Sequence, residues 1–173
     1  LYNTINTERL SIKIIRFNGI FLITNYHMEN KFFEKKDICS NCKGKCCKRL
    51  PGSNFPEDFD MENGTEKLIK AITNGNYAID SWEGDPGDGE IFKEAYFVRP
   101  ATKNNIGKIY DYSWGGECIF LTITGCELKA ENRPSGCIAL EPKENICVLH
   151  GDKDKRNAAL QWRKYFNILD SFH

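Results

Sequence analysis

Cys39-Ser40-Asn41-Cys42-Lys43-Gly44-Lys45-Cys46-Cys47 places four thiols within nine residues. Thiolates hold zinc, ferrous iron and iron–sulfur clusters tightly and take little else from the common cellular metals. Gly44 lets the backbone turn so that several sulfurs can face one point. The run therefore reads as a metal-binding loop rather than a regular helix or strand. Two residues between Cys39 and Cys42 let both sulfurs reach one ion. Cys46 and Cys47 are adjacent, which points to separate jobs or to two neighbouring metals. Standard cluster spacings are not met. Arg49 stands where C-x-x-x-C-x-x-C needs its third cysteine, and Lys45 stands where a ferredoxin run needs its own.

Outward from that run, four more cysteines follow at 118, 126, 137 and 147 in a chain of 173 residues. A chain of this length buries a core without help from crosslinks or metals, so eight cysteines call for a chemical explanation. Lysine plus arginine equals aspartate plus glutamate, 24 against 24. That balance argues against a general nucleic-acid binder, which would carry a basic excess. No apolar stretch is long enough to span a bilayer. The run Ile20 to Ile23 is too short for a signal-peptide core. The expected compartment is the reducing cytoplasm, where clustered cysteines serve as metal ligands more often than as disulfides. An even cysteine count keeps a disulfide framework in view, but the adjacent pair suits one poorly.

Residues 1–27 differ from the remainder: they hold no cysteine, no proline and no acidic residue but Glu8. Ser11 to Phe17, Asn18-Gly19 and Ile20 to Tyr26 read as a β-hairpin with a type I′ turn. The competing expectation, which we favour, is a leader outside the native protein, with Met28 as its start and residues 28–173 as one cysteine-cluster domain. Thr65 to Asn74 reads as a helix, with Thr65 as cap, Leu68, Ile69 and Ile72 on one face and Gly75 as stop. Residues 82–89 form a glycine-rich acidic loop. Ala95 to Arg99 reads as a strand ended by Pro100. Cys118 to Thr122 and Cys126 to Leu128 read as the arms of a second hairpin. A final helix is expected from Asp152 to Phe172, with Ala158, Trp162, Tyr165, Leu169 and Phe172 on one face. The expected fold class is α+β: a small single domain with short antiparallel hairpins and two or three helices around a cysteine-rich metal site.

Taken together, Cys39-x-x-Cys42-x-x-x-Cys46-Cys47 and Trp114-Gly-Gly-Glu-Cys118-Ile-Phe-Leu-Thr-x-x-Gly125-Cys126-x-Leu128-x-x-x-x-Arg133-Pro134-x-x-Cys137 resemble the YkgJ-type cysteine-cluster family. That family is described as zinc- or iron-chelating. A larger relative with a similar cysteine module is the flagellin lysine N-methylase, which is described as an iron–sulfur protein. No glycine-rich loop after a strand stands in this chain for a methyl-donor cofactor. The resemblance thus implies metal chelation and leaves the reaction open. It carries the ligand role onto Cys39, Cys42, Cys46, Cys47, Cys118, Cys126 and Cys137. Cys147 lies outside the matched motif, in Cys147-Val-Leu-His150, which has ligand spacing of its own; His150 also reads as a plain exposed histidine. His27 and His173 receive no role.

Other candidates have plainer readings beside the chemical ones. Asp80, Glu83, Asp85 and Asp88 read as a hard-metal site or, preferably, as a solvated acidic turn. Trp82, Trp114 and Trp162 read as packing anchors. Arg99 and Arg133 each precede a proline and read as partners for an anion, for thiolates or for a structural carboxylate. Lys43, Lys45, Lys48 and Arg49 would lower nearby thiol pKa values. The leading expectation is a protein binding zinc or iron, including an iron–sulfur cluster, with a metal ion and a protein as its partners and neither membrane nor nucleic acid. Two alternatives are a metal-dependent enzyme or accessory domain of a methylase-like group-transfer system, and a zinc-built module for protein or RNA. Split motifs also require Cys39 and Cys42 to meet at least one of Cys118, Cys126 and Cys137.

Overall fold

The structure is a computed structural model that describes residues 11–17, 20–26, 43–84, 86–87, 95–113, 115–141, 143 and 147–173. The chain divides into two compact units, Leu1–Lys31 and Phe32–His173. In the first, β1 (Ser11–Phe17) pairs antiparallel with β2 (Ile20–Tyr26), in a register running from Ser11 opposite Tyr26 to Phe17 opposite Ile20. These are the two strands of the hairpin reading; the Asn18-Gly19 turn lies outside the described residues.

The second unit is α+β, with helices and small antiparallel sheets. Its helices are α1 (Lys45–Arg49), α2 (Glu66–Thr73), α3 (Ser135–Ile138), α4 (Lys155–Trp162) and α5 (Phe166–Asp170). The main ribbon pairs β3 (Tyr77–Trp82) with β4 (Ala95–Pro100). Two two-stranded features of minimal length complete it. Leu121–Thr122 (β5) pairs with Gly125–Cys126 (β6), and Leu140–Glu141 (β7) pairs with Val148–Leu149 (β8). The segment through Tyr110 runs beside β3, where the Ile79 N–H donates to the Ile109 carbonyl at 2.8 Å and the Asp111 N–H to the Ile79 carbonyl at 2.9 Å.

Apolar burial explains the centre. Every residue of β4 is buried, and α4 lays Ala158, Ala159 and Trp162 against the ribbon. Phe55, Phe59, Leu68, Ile72 and Ile79 close the same cluster. Trp162 is wholly buried, and its indole N–H donates to the Asn54 carbonyl at 2.9 Å, so the ring buries no unpaired donor. In α2 the expected face is narrower than read: Leu68 and Ile72 are buried, whereas Ile69 is 43% exposed. Gly75, at φ +77°, ends that helix as expected.

The C-terminal helix is broken where one continuous helix was expected. A 3-10 turn over Arg163–Tyr165 separates α4 from α5. Its cap is Asp154, two residues later than read, and the Asp154 side chain accepts from the Asn157 N–H at 2.8 Å. The apolar face survives the break: Ala158, Trp162, Tyr165, Leu169 and Phe172 all join the core cluster. The second hairpin is also shorter than read. Cys126 is on its β6 arm opposite Leu121, but Cys118 lies before β5 and bridges to Thr102 instead.

Arg99 is fully buried among carboxylates, which decides its role in favour of a structural ion pair. Its Nε donates to Asp80 Oδ2 at 2.6 Å, and its Nη2 lies 3.2 Å from Asp111 Oδ2. Thr102 and Asn105 donate to Asp111 at 3.0 and 2.9 Å. Asp80 is thus a buried strand residue rather than part of an acidic turn; Asp85 and Asp88 lie outside the described residues. Burial pushes the Asp80 carboxyl up despite Arg99. Burial acts the same way on Asp111, but hydrogen bonds from Ser113 and the Arg99 charge outweigh it and hold that carboxyl low. Among the described residues no helix is long and apolar enough to cross a membrane.

Candidate metal centre

The backbone brings the cysteine-bearing segments together through glycines. Lys43 and Gly44 both take positive φ, 50° and 68°, and turn the chain into α1, which carries Cys46 and Cys47. A Cβ on Gly44 would stand 2.6 Å from Leu121 Cδ1, so this turn abuts the 121–126 hairpin only because the side chain is absent. Gly115 and Gly116 then let the 115–118 segment lie along α1. The Gly116 N–H donates to the Arg49 carbonyl at 2.8 Å and the Cys118 N–H to the Cys47 carbonyl at 2.7 Å. A Cβ on Gly115 would stand 2.6 Å from that Arg49 oxygen.

Cys137 arrives from α3. The Gly136 N–H donates to the Ser53 carbonyl at 3.0 Å, and a Cβ on Gly52 would stand 2.5 Å from Cys137 Sγ. Asp58 fixes the start of α3 by accepting from the Ser135 N–H at 3.0 Å and from its hydroxyl. The short β7–β8 pairing returns the chain so that Cys147 reaches Cys46.

Cys46, Cys47, Cys118, Cys126, Cys137 and Cys147 are free thiols. Cys46 Sγ and Cys47 Sγ lie 3.9 Å apart. Two thiolates on one tetrahedral zinc, each about 2.3 Å from it, stand about 3.8 Å apart. Adjacency is therefore compatible with one shared ion as well as with the separate jobs or two neighbouring metals expected from the sequence. Either sulfur can be the donor in that contact. Hydrogen bonding from Cys47 first, then from backbone amides and Cys147, lowers the Cys46 pKa to about 6 against the upward pull of burial. Cys47 is pushed up by that same hydrogen bond, by burial and by the charges of Cys46, Cys137 and Cys118. Burial raises Cys118 to about 11 and Cys137 to about 12, with neighbouring cysteines adding to both. Hydrogen bonding leads the fall at Cys46; Lys43, Lys45, Lys48 and Arg49 are all solvent-exposed.

Thiols from four separate stretches, at 46–47, 118–126, 137 and 147, thus sense one another. Among the described residues, however, no three His, Cys, Asp or Glu side chains form a finished metal site. Cys39 and Cys42, and with them the expectation that they meet Cys118, Cys126 or Cys137, lie outside the described residues. The donor set is nonetheless sulfur throughout, which fits zinc or iron and suits magnesium or calcium badly.

Two members of this region were left unassigned or unread in the sequence. Cys147 stands outside the quoted motif, yet its side chain hydrogen-bonds Cys46. The Cys147-x-x-His150 spacing was the only signal, and the His150 ring meets Glu141 Oε2 at 2.7 Å. Tyr77, with its ring between Phe59 and Phe120 at 5.5 and 5.6 Å, is the other. Burial first, then Asp58, Cys118, Cys137 and Cys126, push its phenol up to about 12. No sequence signal places a strand tyrosine beside cysteines that are 41 to 60 residues away. Trp162 is the core anchor expected of it, Trp82 lines a surface cavity, and Trp114 lies outside the described residues. Arg133 donates through Nε to the Leu128 carbonyl at 3.1 Å.

No family model matches the chain, and neither a curated protein nor a solved structure matches it.

Proposed function

We propose that this chain binds zinc or iron through its clustered cysteines, the iron either as an ion or within an iron–sulfur cluster. The observation that carries the reading is the convergence of free thiols from four stretches of chain, with Cys46 and Cys47 at 3.9 Å. The spacing Cys39-x-x-Cys42 upstream and the resemblance to YkgJ-type cysteine-cluster proteins point the same way. The ligand set is drawn from Cys39, Cys42, Cys46, Cys47, Cys118, Cys126 and Cys137, with Cys147 added by its bond to Cys46. Eight thiols exceed the four that one zinc accepts, so the set serves a cluster or two ions. Such a site belongs in a reducing compartment such as the cytoplasm.

The test is anaerobic purification of the full chain followed by metal and acid-labile sulfide analysis. The expected result is at least one zinc or iron per chain, with sulfide if the metal is a cluster. Metal-free protein whose eight thiols all react freely with a thiol reagent under native conditions would overturn the reading.

A further inference from the structure

Away from the cysteines, a cavity of about 310 Å³ opens where the end of β3 meets the 112–113 segment and the first residue of α4. This is the small end of the range, roughly 300–1,000 Å³, in which small-molecule sites fall. Trp82, Phe97 and Tyr112 supply aromatic wall. The polar lining sets the Ser81 hydroxyl and the Lys155 ammonium beside the carboxylates of Asp80 and Glu83. Asp80 has both oxygens engaged, Oδ1 by the Ser81 N–H at 2.8 Å and Oδ2 by Arg99 Nε at 2.6 Å. Ser113 Oγ accepts from Arg99 Nη2 at 3.4 Å and its own proton goes to the Asp111 carboxylate, so it is engaged within the protein. The Ser81 hydroxyl and Lys155 Nζ have no hydrogen-bond or ion-pair partner among the described residues. Lys155 is half-buried, and although Asp80 attracts it, no carboxylate among the described residues stands within ion-pair distance of its ammonium. Burial lowers its pKa, a cost that an anion beside it would offset.

The geometry points to a binding site for a small planar monocarboxylate. Its flat body lies against Trp82, Phe97 and Tyr112, and its carboxylate accepts from Lys155 and Ser81. Glu83, exposed at the rim, selects against a second negative charge. This site uses none of the thiols and stands or falls apart from the metal.

The test is calorimetric titration of the full chain, as purified, with benzoate, its neutral isostere benzamide, and the dianion isophthalate. Benzoate is expected to bind saturably, with benzamide and isophthalate each weaker by about tenfold or more, the range a charge-assisted hydrogen bond commands. Lys155→Met should weaken benzoate by about tenfold or more while melting temperature and metal content stay at wild-type values. Glu83→Gln should recover isophthalate. Equal affinity for benzoate and benzamide, or no saturable benzoate binding by the wild-type chain, overturns the proposal without recourse to any variant. Wild-type benzoate affinity in a folded Lys155→Met chain overturns it as well.

Discussion

The β3–β4 ribbon with α4 and the cysteine-bearing stretch from residue 115 to 150 are built on opposite principles. In the ribbon, six-residue strands pair over their whole length, and Phe97, Val98, Ala158 and Trp162 are buried to 1% exposure or less. Its buried Arg99 is matched by Asp80, on the paired strand, and by Asp111. In the cysteine stretch the strands are two residues long, and Val148 and Leu149 are more than a third exposed. Ile123 is fully exposed at the hairpin tip. What its interior offers instead is thiols, glycine clearances and main-chain bonds to α1. An apolar core closes the first region; the second has too little apolar burial to do so and is the one that metal–sulfur bonds would close.

The largest effect that separates the two is expected from Trp162→Ala. It removes the biggest buried side chain and leaves the Asn54 carbonyl unpaired, for a loss of about 3–5 kcal/mol. Denaturant melts of metal-loaded and chelated protein should show the same loss. A loss confined to the metal-loaded form would mean that the ribbon is not self-sufficient.

Next comes metal removal itself. Treatment with a strong chelator should release amide protection across 115–150 while β3, β4 and α4 exchange as slowly as before, read by hydrogen exchange with mass spectrometry. Uniform loosening of both regions would abolish the comparison.

A smaller and sharper effect is expected from Cys147→Ser against His150→Ala. The first removes a thiol that hydrogen-bonds Cys46 and should lower metal content; the second should leave metal content unchanged, since that ring is bound to Glu141. Equal losses would make His150 a ligand.

The smallest effect is one of pH. In chelated protein Cys46 should react with iodoacetamide as a thiolate down to about pH 6, whereas Cys118 and Cys137 stay protonated until well above pH 9. The linkage has a definite sign. A thiol depressed from 9 to about 6 stabilises the fold fully above pH 9 and loses that contribution as pH falls through 6. The raised Cys118 and Cys137 contribute below pH 9 and lose it as pH rises through about 11 and 12. Site-resolved alkylation rates between pH 5 and 10 check the order.

Periodic and local features were legible in the sequence: helix 66–73 with its glycine stop, the strand at 95–100, and the apolar face of the C-terminal segment. Strand 77–82 went unread, because Tyr77, Asp80 and Ser81 break the apolar alternation; their burial is set by Arg99 and by a neighbouring segment some thirty residues on. The break at 163–165 carries no glycine or proline to announce it. At the candidate centre, Gly115 stood in the quoted motif and Gly52 went unremarked, and only the approach of Arg49 and Cys137 explains why glycine is needed at each. Long-range encounters of this kind leave no mark at fixed spacing, which is also why Cys147 was set apart from the other thiols.

The most direct test of the sulfur-bound metal is X-ray absorption at the zinc and iron edges on anaerobically purified full-length chain. The account predicts a ligand shell of sulfur alone, at about 2.3 Å for zinc. A shell dominated by nitrogen or oxygen, or no bound metal at either edge, would contradict it.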